Sequence, residues 1–361
     1  MNLRLVLIVL AALGLSLPAH GRVEELIDGG AAPPPEVGVQ LRAEQAFVPA
    51  FEDVRVMVTF VNTGREAAGL ARWFVPGDEF DNPVFEITRD GVPVDFMGPL
   101  VKRAPPAADD LIWLQPGEQL VIPVELSGSY DLSEGGAYAV RYRAISSHLY
   151  GPGQKGVAAL ASDAIAITIE RRQYSNVRAL AGDGYKSAGG GGVTFTGKCS
   201  ASQQADLLNA VTVASAMSGG AKSYLAGSPS GTPRYTTWFG TFSTSNWGTA
   251  QSHFNAITDA FDTKQLTLDC GCKKSYYAYV YPTQPYKIYV CRAFWNAPLT
   301  GTDSKGGTLI HEMSHFNVVA STDDWAYGQT AAKNLALSSP AKALDNADNH
   351  EYFAENTPAL P

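Results

Sequence analysis

The periodicity of the chain changes once, across residues 171–192, and that change divides what the polypeptide can fold into. Up to Ile169 apolar residues fall on alternate positions. Val54, Val56, Val58 and Phe60 share one face of an extended segment, and Tyr138, Val140, Tyr142 and Ala144 share another. Turn signals such as Asn62-Thr63-Gly64, Asp90-Gly91 and Gln115-Pro116-Gly117 separate these runs, with no sustained helical period between them. The pattern predicts an antiparallel β-sandwich, immunoglobulin-like, over residues 22–170, although the buried Trp and paired cysteines of antibody domains are missing. The boundary itself runs from Arg171-Arg172 through Gly184-Tyr185-Lys186 to four consecutive glycines, Gly189 to Gly192. It reads as a flexible linker open to proteolysis. Beyond it the period becomes helical over Ser202–Leu225 and Ser245–Phe261. A hairpin follows from Tyr276 to Val290, then a helix from about Lys305 to Val319 and further helices after Gly328 and Pro340. Residues 193–361 are therefore expected to form an α+β, mostly helical domain, and 361 residues suit two domains.

The formal charge of −8 argues against nucleic acid as a partner, since phosphate binding needs clustered basic surface. Arg4 precedes an apolar run, Leu5 to Leu17, too short to span a bilayer, and Ala19 and Gly21 suit a signal-peptide cleavage site. Residues 1–21 are read as a signal peptide, and the mature protein as a secreted, extracellular monomer without a membrane segment. Cys199, Cys270, Cys272 and Cys291 all follow the linker, an even count that favours two disulfides in an oxidising compartment. Cys270-Gly271-Cys272 is too tight to bridge itself comfortably, so Cys199 and Cys291 each take one of these two, in either pairing.

His311-Glu312-Met313-Ser314-His315 fits H-E-x-x-H inside the helix expected from Lys305. Residues four apart share a helix face, so both imidazoles can reach one Zn²⁺ while Glu312 faces its bound water. A catalytic zinc usually takes a third protein ligand and keeps a position open. Position 321 is Ser, which excludes the third His of a metzincin. The nearest oxygen donors are Asp323 and Asp324, and the residues alone leave the choice between them open. As ordinary turn residues, both aspartates would need no metal.

Ser321-Thr322-Asp323-Asp324-Trp325-Ala326-Tyr327-Gly328 after H-E-x-x-H resembles the G-T-x-D-x-x-Y-G element of the aspzincin metallopeptidases, the family of deuterolysin and the peptidyl-Lys metalloendopeptidases. Pro233 to Gly240, Ala293-Phe294-Trp295, Gly301 to Ser304 and Asn346 to Phe353 extend the likeness over about Val193 to Pro361. Ser321 departs from the family's glycine. The resemblance implies a zincin-type metallopeptidase domain with one Zn²⁺ held by His311, His315 and Asp324. It further implies Glu312 as general base, Tyr327 as a hydrogen-bond donor to the oxyanion, and disulfides Cys199 to Cys270 and Cys272 to Cys291.

Asp348 and Glu351 are three apart on the last helix and share a face. Peptidyl-Lys members of the family carry this acidic pair, which binds the substrate lysine, whereas deuterolysin lacks the second carboxylate. The expected substrates are accordingly lysine-containing proteins and peptides cut at Xaa-Lys bonds; a broad deuterolysin-like specificity, or an adhesion protein with a structural metal, are the alternatives. His350, between the two acids, is expected to be structural. Tyr185-Lys186 would then be a self-processing site and the N-terminal half a prodomain, acting as intramolecular chaperone or inhibitor, with Arg171, Arg172 or Lys186 in the acidic pocket.

Overall fold

A computed structural model describes residues 36–77, 81–104, 106–144, 149–150, 160–172 and 192–361. The expected signal peptide and most of the linker, Tyr185 and Lys186 included, lie outside these. The N-terminal region is sheet-rich. Strands Val37–Ala43, Arg55–Asn62 and Gln119–Glu125 form one antiparallel sheet, with Val56 opposite Val124 and Phe60 opposite Leu120. Phe47–Val48, Ile165–Ile169, Gly136–Ala144, Phe85–Arg89 and Val92–Pro93 follow one another in a second sheet, and Leu149–Tyr150, Ala68–Ala71 and Leu111–Leu114 form a third. The alternation read from the sequence sets the core: Val54, Val56, Val58 and Phe60 are buried, as are Tyr138, Val140, Tyr142 and Ala144. Phe47–Val48 runs parallel to Ile165–Ile169, which departs from a purely antiparallel arrangement.

In the C-terminal region two long helices, Ala201–Leu225 and Thr244–Thr263, start on the serine caps Ser200 and Ser243. They pack with the helix Lys305–His315 and the last helix, Ala347–Glu355, around Trp238, Phe254, Met313 and Phe353. A mixed sheet of Gly192–Thr196, Gln265–Asp269, Lys287–Val290 and Ala278–Val280 lies alongside. Its fifth strand is Leu100–Lys102, from the N-terminal region. Disulfides join Cys199 to Cys270 and Cys272 to Cys291. Among the described residues no helix is long and apolar enough to cross a membrane.

The helix expected to reach Val319 stops at His315. Thr322 N donates to Ser314 O at 3.2 Å and the Ser314 and Thr322 hydroxyls meet at 2.6 Å, so the chain is pulled back across the helix end. Ser321 takes φ of 52° in that turn. This left-handed conformation suits glycine, at roughly 1–2 kcal/mol less cost than a side-chain-bearing residue.

His350 joins two helices: its Nε2 lies 2.9 Å from His253 Nδ1, one imidazole donating to the other. Burial pushes their pKa values down to about 3 and about 4, below the ordinary 6.5. As pH falls below 6.5 the unfolded chain binds protons that the folded pair refuses, so stability drops progressively until pH passes those depressed values. We expect the melting midpoint of the wild type to fall more steeply between pH 6.5 and 4 than that of His253→Gln, by a slope on the order of one proton per molecule. Parallel slopes in calorimetry would remove the pair from the acid response.

Candidate metal centre and the strand that covers it

The helix Lys305–His315 is buried along its whole length, an unusual setting for His, Glu and Lys. Ser304 caps it, accepting from Gly307 N at 2.9 Å while its own N and Oγ donate to Glu355 Oε1 at 2.8 and 2.7 Å. Gly307 has no room for a side chain. A Cβ there would stand 2.1 Å from Glu355 Oε1 and 2.9 Å from Glu351 Oε1, so glycine lets the last helix bring its carboxylates against this one.

His311 and His315 lie one turn apart with ring centroids 4.8 Å from each other. The turn after His315 carries Asp324 back, placing its Oδ1 3.2 Å from His311 Nε2 and 3.5 Å from His315 Nε2. These three atoms are buried and none has a hydrogen-bond partner, a costly arrangement unless a cation completes it. Donors about 2.0–2.1 Å from a tetrahedral zinc sit roughly 3.3 Å apart, so the spacing and the N, N, O donor set fit that ion. Asp324 is the inward member of the aspartate pair. Burial opposes its charge, but His315 and His311 outweigh burial and hold its pKa below the usual carboxylate value. Asp323 faces away, with its backbone bonded to Asp345 O and Ala347 N, and burial raises its pKa to about 8.

Both imidazoles are held from behind. His315 Nδ1 lies 2.7 Å from Thr322 O, a carbonyl that can only accept, so the proton sits on Nδ1 and the Nε2 lone pair turns inward. Asp348 Oδ1 is 2.9 Å from His311 Nδ1, and its Oδ2 accepts from Gly328 N at 2.6 Å. Asp348 therefore serves the imidazole as well as the pocket. Glu312 is fully buried, and burial raises its pKa to about 8. Tyr327 is also buried, its hydroxyl unpartnered and its ring set edge-on against Trp73 of the N-terminal region at 6.4 Å.

The acidic face of the last helix is not solvated: Asp348 and Glu351 are both buried, and a lysine stands between them. Lys102 Nζ lies 2.6 Å from Glu351 Oε2, 3.6 Å from Asp348 Oδ1 and 3.3 Å from Asp303 Oδ1. Burial disfavours its charge, yet Asp348, Glu351 and Asp303 more than offset that and raise its pKa well above the ordinary lysine value. Leu100–Lys102 pairs antiparallel with Ala278–Val280, Val101 opposite Tyr279. Val101 N donates to Asp324 Oδ2 at 3.1 Å and Lys102 N to Glu312 Oε1 at 3.3 Å.

Two of the basic residues expected in this pocket, Arg171 and Arg172, are elsewhere. Arg171 pairs with Glu134 at 3.5 Å, and Arg172 donates to Glu52 O; Lys186 lies outside the described residues. Lys102 and Asp303 were missed from the sequence. Asp303 lay in the Gly301–Ser304 likeness without an assigned role, and it also accepts from Tyr352 OH at 2.7 Å. A signal for Lys102 existed in composition: only Lys102, Lys155 and Lys186 precede residue 193, against 13 arginines.

The family described as lysine-specific metallo-endopeptidase, the aspzincins, matches residues 224–355. An extracellular protease of Aeromonas hydrophila is 48% identical over 310 residues, covering 85% of this chain and 89% of its own. A peptidyl-Lys metalloendopeptidase of Armillaria mellea is 36% identical over 318 residues, covering 85% and 88%. A solved zinc peptidase from Grifola frondosa is 47% identical and covers 45% of this chain and all of its own, with a TM-score of 0.44. With relatives of this identity spanning both regions, the chain belongs to the aspzincin family and is a zinc metalloendopeptidase.

Proposed function

We propose that this chain is an exported preproenzyme whose C-terminal domain, residues 193–361, hydrolyses peptide bonds on the amino side of lysine. One observation carries the specificity: a lysine ammonium rests among Asp303, Asp348 and Glu351 while its own backbone nitrogen faces Glu312. A substrate lysine placed in the same way presents its amide nitrogen to the group that must protonate it. The names of the Armillaria and Aeromonas relatives support the same activity and its extracellular site.

In this reading His311, His315 and Asp324 hold a single Zn²⁺, which when bound supplies Lewis acidity toward water and the substrate carbonyl. Glu312 takes the proton of the attacking water and delivers it to the leaving nitrogen. The Tyr327 hydroxyl stabilises the oxyanion. Residues 1–21 direct export, residues 22–170 form the prodomain, and cleavage within 171–192, at Tyr185-Lys186, separates it. Before that cut Lys102 fills the lysine pocket, so the prodomain inhibits its own enzyme.

Mass spectrometry of a denatured protein digest tests the specificity. New amino termini should be lysines, and Glu351→Ala should lower kcat/KM at those bonds by about 2–5 kcal/mol, roughly 30- to several-thousand-fold, because Asp303 and Asp348 alone then face the ammonium. Cleavage without residue preference in the parent protein would favour the broad, deuterolysin-like alternative.

A further inference from the structure

Lys102 does more than plug a pocket, because the bond that precedes it lies in the register of a bond to be cut. Val101 N donates to Asp324 and Lys102 N to Glu312, so Val101 and the nitrogen of the bond that follows it are both held against carboxylates of the candidate centre. Tyr277 N donates to Lys102 O at 3.1 Å and continues the strand pairing on the carboxyl side. A strand held in this way is a substrate by position, yet it must persist if it is to inhibit.

The next residue supplies a restraint. Arg103 is 5% exposed and its guanidinium is enclosed on all sides. It pairs with Asp81 Oδ1 at 2.5 Å, donates to Asp81 O at 3.2 Å, and stacks over Tyr276 at 4.3 Å and Trp73 at 5.3 Å. Tyr276 OH donates to Asp81 Oδ2 at 2.6 Å, so the C-terminal region closes the same cluster. Aromatic stacking on a desolvated guanidinium and its charge-assisted bonds to the partly buried Asp81 are each restraints on this residue. The amino side is more open, with a cavity of about 450 Å³ beside Leu100 that reaches His315 and Trp325.

We propose that Val101–Lys102 is a latent cleavage site, and that the Arg103 clamp is what keeps it an inhibitor. This rests on the Xaa-Lys reading above. Hydrolysis would add the oxygen of one water to the Val101 carbonyl carbon, break the Val101–Lys102 bond and leave the proton on the Lys102 nitrogen. With Arg103 locked, the new amine stays against the new carboxylate at a very high effective concentration, on the order of 10⁵ M or more, and the reverse condensation restores the bond. Releasing Arg103 lets the amine leave, which makes the cut permanent.

The test uses the full chain carrying Lys186→Gln, compared with the same chain carrying Arg103→Ala, by intact mass and N-terminal sequencing after denaturation. Arg103→Ala should accumulate a fragment beginning at Lys102 at least tenfold faster than its parent. Adding Glu312→Gln should abolish the fragment. Tyr276→Leu, which removes only the C-terminal half of the clamp, should shift cleavage in the same direction and decides the matter if Arg103→Ala does not fold. An uncut Val101–Lys102 bond in the folded clamp variants, or a fragment that survives Glu312→Gln, overturns the proposal. The wild-type chain, left free to be cut at Tyr185–Lys186, also receives a denatured lysine-containing protein: if no Xaa-Lys bond in it is cut, the parent reading fails instead.

Discussion

Glu312→Gln should lower hydrolysis of an Xaa-Lys peptide by about 10²–10⁴-fold, the usual share of a positioned general acid–base group. The substitution keeps the shape of the side chain, so the buried helix and the imidazoles beside it should stay in place. Gln cannot accept the proton of the attacking water. The same variant reports on maturation, because a chain that cuts itself should then keep the Tyr185–Lys186 bond. Rates are read on a fluorogenic peptide, and the amino terminus of the purified protein by sequencing. Normal processing of the purified variant, with no other protease present, would end the self-cleavage reading; near-parental peptidase rates would remove Glu312 from the chemistry.

Lys102→Ala should have the opposite effect, exposing the cleft of the uncut chain. In the parent structure one ammonium compensates Asp303, Asp348 and Glu351. Removing one partner of a buried ion cluster costs about 3–5 kcal/mol, and here the cost falls on the docked strand, since the bare pocket can take a substrate lysine instead. A cost of that size is roughly a hundred- to several-thousand-fold shift toward the open cleft. In a Lys186→Gln background the Lys102→Ala chain should hydrolyse an Xaa-Lys reporter at least fiftyfold faster than its Lys102 parent. Lys102→Arg, which keeps the charge on a longer and planar group, should fall between them. Equal rates in all three would show that the strand does not govern access.

How much of this was legible beforehand varies with the distance between the residues involved. His311 and His315 are placed by one helical turn, and four residues of spacing already put them on one face. The buried faces of the strands around Val56 and Tyr138 follow from a period of two in the same local way. Asp324 needed the family resemblance. From the residues alone Asp323 served as well, and what separates them is a turn in which Ser321 is left-handed and Thr322 reaches back to Ser314. The same contacts end the helix at His315, overriding the helical pattern that continued toward Val319.

The sequence by itself determined the two-region organisation, the helix that places His311 and His315 on one face and the acidic pair on the last helix, because each is a periodicity or a short spacing. Only the tertiary structure decided which cation fills the acidic pocket, that Asp348 also braces His311, and that Tyr327 packs against Trp73. Those contacts join segments as much as about 250 residues apart. A strand that pairs with a distant edge leaves the same alternation in the sequence as one that stays in its own sheet, so Leu100–Lys102 looked like any other strand until its partner was in view.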